Sequence, residues 1–120
     1  MAEQMTLGKF IEALKALPAD LLIAYDVGRS PGEPDSFRGY YEQLAFGYSY
    51  DTRRTVCDVL RLAENAMGET FKGYKGGYFV MHEDTPLWAA SYGISSDGRR
   101  IVGVERSGPV VIVLTEEDSW

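Results

Sequence analysis

The chain has 120 residues, of which 45% are hydrophobic and 25% charged, with a formal net charge of −6. That is an ordinary globular balance, long enough for one hydrophobic core and far from the disordered regime. The acidity argues against broad, salt-driven binding to a nucleic-acid polymer; no apolar run approaches the ~18 residues of a membrane span, and the polar N-terminus does not read as a secretory signal.

Cys57 is the only cysteine and His82 the only histidine, so an intramolecular disulfide and a thiolate zinc site are both excluded. This cysteine usage fits a reducing cytoplasm, and Cys57 itself reads as a small semi-buried packing residue. Charge is spread unevenly. Residues 1–36 carry three net negative charges, 37–82 one positive and 83–120 four negative, so the middle third is where an anionic small molecule is not repelled.

In chain order, Thr6 suits the N-cap of a first helix, along which Leu7, Phe10, Ile11, Leu14 and Leu17 form one apolar stripe before Pro18 stops it. Residues 21–25 read as a short strand ended by Asp26-Val27-Gly28. Residues 29–39 hold two prolines and two glycines, which predicts a loop without regular pairing. Residues 40–48 return as a strand. Thr55 opens a second helix with Asp58 in capping-box position, and Val56, Val59, Leu60, Ala63 and Met67 share one face up to Gly68.

Four strands follow, over 78–81, 86–92, 99–105 and 110–114, with turns at Asp97-Gly98 and Ser107-Gly108. Short links predict antiparallel neighbours, and the wholly apolar 110–114 run predicts a central strand. The expectation is an α+β fold of order α-β-β-α-β-β-β-β, a mainly antiparallel sheet with two helices packed on one face. One domain would cover 1–120, with 1–5 and 115–120 as frayed tails.

Two segments suggest chemistry. In Phe71-Lys72-Gly73-Tyr74-Lys75-Gly76-Gly77-Tyr78, the glycines would expose backbone N–H groups, the lysines supply positive charge, and the rings alternate with them. That suits a phosphate plus a flat ring, although the Walker spacing is missing. The bland alternative is a glycine-rich connection with solvated lysines. In Ser36-Phe37-Arg38-Gly39-Tyr40-Tyr41, Arg38 can clamp phosphate or carboxylate with room left by Gly39; the alternative is a surface arginine paired with Asp35 or Glu42.

Elsewhere the chemical signals are thin. His82, Glu83 and Asp84 would most simply form a partly exposed turn, and no second histidine supports a zinc hydrolase. There is no Gly-x-Ser-x-Gly elbow, no activated partner for Cys57 and no carboxylate pair, so no enzyme activity, cofactor or metal is expected. Trp88 and Tyr92, at even spacing on one strand, are core aromatics or a stacking wall.

These segments carry a resemblance. With Ser36 to Ala45, Thr55-Val56, Gly73 to Gly77 and Asp84-Thr85-Pro86-x-Trp88, the chain resembles a family of small bacteriophage and prophage proteins. Phe37 stands where that pattern has tyrosine, keeping the ring and losing the hydroxyl. The likeness spans most of residues 7–104. It implies a setting rather than an activity: a gene expressed in the cytoplasm of an infected bacterium, where small non-catalytic phage proteins often counter host defence and some sequester nucleotide signals.

The expected function is therefore non-catalytic binding of a small anionic, nucleotide-like ligand. Lys72 and Lys75 would neutralise phosphate, Gly73, Gly76 and Gly77 would donate N–H groups, and Arg38 beside Gly39 would clamp a second anion. Tyr40, Tyr74 or Trp88 would stack on a base. The alternative is a protein–protein inhibitor of a host enzyme, with an acidic surface rich in tyrosines such as Tyr48 and Tyr50. A homodimer suits either reading, because so many aromatic residues exceed what a small core hides.

Overall fold

The structure, a computed structural model, describes residues 3–36, 43–49, 53–72, 78–90 and 98–117. Helix α1 spans Leu7–Lys15 and begins where Thr6 Oγ1 accepts the Lys9 N–H. Helix α2 spans Val56–Ala66, and its capping box is complete. Thr55 Oγ1 accepts the Asp58 N–H and the Asp58 carboxylate accepts the Thr55 N–H. Both apolar stripes face inward, burying Leu7, Phe10, Ile11 and Leu14 on α1 and Val56, Val59, Ala63 and Ala66 on α2.

The strands are β1 (Leu22–Tyr25), β2 (Ser30–Ser36), β3 (Leu44–Ser49), β4 (Arg54–Thr55), β5 (Thr70–Lys72), β6 (Tyr78–Val80), β7 (Leu87–Ala89), β8 (Arg99–Ser107) and β9 (Val110–Glu117). Seven form one sheet in the order β2-β3-β7-β8-β9-β1-β4, and β5 pairs with β6 in a separate ribbon. The chain is α+β, with a mixed sheet. β1 runs parallel to β9 and β3 parallel to β7, and the other ladders are antiparallel. The expectation of short antiparallel links holds for β7-β8-β9; β3 and β7 are parallel because the chain between them detours through α2. No helix among the described residues is long and apolar enough to cross a membrane.

Three local expectations need correcting. Residues 30–36 pair as a strand despite Pro31 and Pro34, because β2 lies at the sheet edge and its register shifts between the two prolines. β6 leaves the main sheet because Thr70–Lys72, unrecognised as a strand, supplies its partner. Met5 and residues 115–117, expected in frayed tails, are held. Met5 N–H donates to Ile101 O, Leu87 N–H donates to Met5 O, and β9 continues to Glu117 with Thr115 buried.

The sheet curls strongly around the helices. β2 and β1 are separated by four strands in the sheet order, about 24 Å if flat at the usual strand spacing, yet they are in contact. Across the concave side the Tyr25 hydroxyl on β1 reaches the carbonyls of Phe46 (3.1 Å) and Gly47 (3.0 Å) on β3. The Tyr25 ring meets Tyr48 edge-on with centroids 5.1 Å apart, and Phe10 of α1 packs on Phe46 at 5.5 Å. Tyr48 is therefore engaged with the core rather than displayed on the surface as the alternative reading expected; Tyr50 lies outside the described residues.

The start of α1 is tied to a distant turn. Leu7 N–H donates to Thr85 O and Gly8 N–H to Glu83 O, which satisfies helix donors that lack an intrahelical partner. The approach is close enough that a Cβ on Gly8 would lie 3.0 Å from both Glu83 Cβ and Glu83 O.

Two stability predictions result. Gly8→Ala should destabilise the fold by about 1–2 kcal/mol in urea titration, because the clash with Glu83 outweighs the better helix propensity of alanine. Burial, and secondarily the neighbouring Tyr48, raise the pKa of Tyr25 well above the ordinary tyrosine value. An unfolded phenol ionises near pH ~10 while the folded one keeps its proton, so the Tyr25 contribution is complete below that pH and lost as pH rises beyond it. Tyr25→Phe should cost about 1 kcal/mol at neutral pH and flatten the alkaline decline of the melting temperature.

Candidate functional site

Of the residues nominated by sequence, Arg38, Gly39, Tyr40, Gly73, Tyr74, Lys75, Gly76 and Gly77 lie outside the described residues. What the structure gives is their attachment points. Ser36 closes β2 and Leu44 opens β3, paired with each other across the hairpin; Lys72 closes β5 opposite Tyr78 at the start of β6. β2 and β5 touch, and α2, which leads into β5, also packs against β2. The strands leading into the two segments are thus neighbours.

Trp88 is described, and it is buried at 7% exposure with Ala45 and Ala90. Leu87 and Ala89 on either side of it join the main core, so strand alternation puts the indole on the convex face of the sheet, away from the helices. Its Nε1–H donates to Gln43 Oε1, just before β3. Phe71 of β5 packs against the main core instead, on the concave side. The structure therefore joins Trp88 to Gln43, just before β3, and puts it on the opposite face from Phe71. Tyr92 lies outside the described residues, and of Lys72 only the backbone is described.

The His82 region is a turn. Thr85 Oγ1 accepts the His82 N–H, and His82 Nδ1 accepts the Asp84 N–H at 3.2 Å. Among the described residues no group of three or more histidine, cysteine or carboxylate side chains is arranged to hold a metal ion.

A cleft of about 310 Å³ was not anticipated. It runs beside α2 and is lined by Arg54, Asp58, Arg61, Leu62 and Asn65. Part of the signal was in the sequence, because Asp58, Arg61, Leu62 and Asn65 recur at helical spacing on one face of α2, whereas Arg54 joins them from β4. Arg54 Nη2 bonds Glu33 Oε1 at 3.2 Å, and Arg61 Nη2 lies 3.7 Å from Cys57 Sγ. Asp58 is held below the usual carboxylate range, first by the Thr55 backbone N–H and the Thr55 side chain, then by the charges of Arg54 and Arg61.

Because Trp88 is packed rather than displayed, Trp88→Ala should cost about 3 kcal/mol in chemical denaturation; an open stacking ring would cost almost nothing. Compared with known proteins, the chain matches no family model, no curated protein and no solved structure.

Proposed function

We infer that this protein is a non-catalytic binder that sequesters a small anionic, ring-bearing ligand of nucleotide type, held between the Arg38 and Lys72 to Gly77 segments. The observation that carries the reading is the contact between β2 and β5, the strands that lead into those segments. Lysine and arginine side chains neutralise phosphate, glycine N–H groups donate to its oxygens, and Tyr40 or Tyr74 stacks on the base. Trp88 contributes by anchoring Gln43 at the end of the Arg38 segment. Sequestration needs affinity without turnover. In the phage setting implied by the resemblance, the ligand is a host defence signal.

Isothermal titration against linear and cyclic nucleotides should give micromolar or tighter binding, weakened about tenfold or more by the Lys72→Ala/Lys75→Ala double variant. Absence of binding, with no nucleotide released from the denatured protein, overturns the reading. One observation favours a protein partner instead: Tyr78 and Val80, alternate residues of β6, are 70% and 50% exposed. Retention of one stoichiometric host protein, lost in Tyr78→Ser/Val80→Thr, would establish that alternative.

A further inference from the structure

We propose that the cleft beside α2 is a second binding site, for a small oxyanion, and that Glu33 occupies its arginine fork in place of that ligand. This does not rest on the reading above, because it uses none of the same residues.

Three observations converge. The cleft is lined by two arginines, Arg54 and Arg61, together with Asp58, Leu62 and Asn65. Arg54 Nε is buried and has no hydrogen-bond partner among the described residues, which is costly for a donor attached to a charged group. The Arg54 side chain is only 23% exposed, while its partner Glu33 is 72% exposed, so the ion pair joins a fixed cation to a solvated, easily displaced anion.

Asp58 also lines the cleft, where one carboxylate oxygen accepts the Thr55 N–H in the helix cap and its charge lies beside Arg54 and Arg61. An oxyanion with two acceptor oxygens would replace Glu33 on Arg54 and gain a second cation in Arg61. Carboxylate and phosphate share that chemistry. Glu33 therefore sets the affinity by competition.

The test is titration of the full chain with inorganic phosphate and, separately, acetate, followed by amide NMR shifts. Saturable shifts along α2 are expected for at least one probe, and the two arms distinguish phosphate from carboxylate. Arg61→Gln, at an exposed position, should weaken binding about tenfold. Glu33→Gln should strengthen it about threefold by removing the competitor. The Lys72→Ala/Lys75→Ala variant should leave these shifts unchanged, which separates this site from the nucleotide site. Shifts absent with both probes, unaltered in Arg61→Gln, or not strengthened in Glu33→Gln overturn the proposal.

Discussion

The Tyr25 hydroxyl bond to the carbonyls of Phe46 and Gly47 ties β1 to β3 across the hollow of the sheet. Four steps of the sheet order separate those strands, about 19 Å on a flat sheet and far beyond the reach of one side chain. The bond can exist only if the sheet curls. The curl in turn makes one concave face, onto which both helices lay their apolar stripes. A phenol is suited to this place because its ring fills core volume while its hydroxyl, which burial would leave costly without a partner, meets backbone acceptors.

Polar contacts then hold the curled sheet. Asp26 receives both the Thr115 N–H and the Thr115 hydroxyl, and Thr115 Oγ1 accepts from Arg99 Nε. This joins the turn after β1 to β9 and β8. β2 and β4 are the two ends of the sheet order, and Ser30 bridges them: it donates its hydroxyl to Ile23 O on β1 and accepts the Arg54 N–H of β4. Apart from Arg99, these contacts use short side chains and backbone groups, which lose little conformational freedom when ordered.

The proposed binding follows from what the curl leaves at the rim. β2 is an edge strand, and it meets both α2 and β5. Glu33 on this strand reaches Arg54, and the strand's far end leads toward Arg38. Arg54 and Arg61 line the cleft beside α2, and β2, which leads toward Arg38, also touches β5, which leads into the second glycine-containing segment. An acidic chain accommodates small anions better than long polyanions, which would meet its negative charge along more of their length.

Much of the local structure was legible in the residues. The helical stripes, the Thr6 cap, the Thr55 and Asp58 capping box and the central Val110 run all depend on neighbours a few positions apart, and each formed where those patterns pointed. The cleft at Arg54 and Arg61 was not legible that way, because Arg54 reaches it from β4 and its partner Glu33 from β2. Tertiary structure alone decided that Pro31 and Pro34 can sit in a strand, because an edge has no second ladder to lose. It also decided that β3 and β7 run parallel, that Thr70–Lys72 draws β6 out of the sheet, and that Trp88 turns away from the helices. Periodicity says which side chains share a face; only long-range pairing says what that face meets.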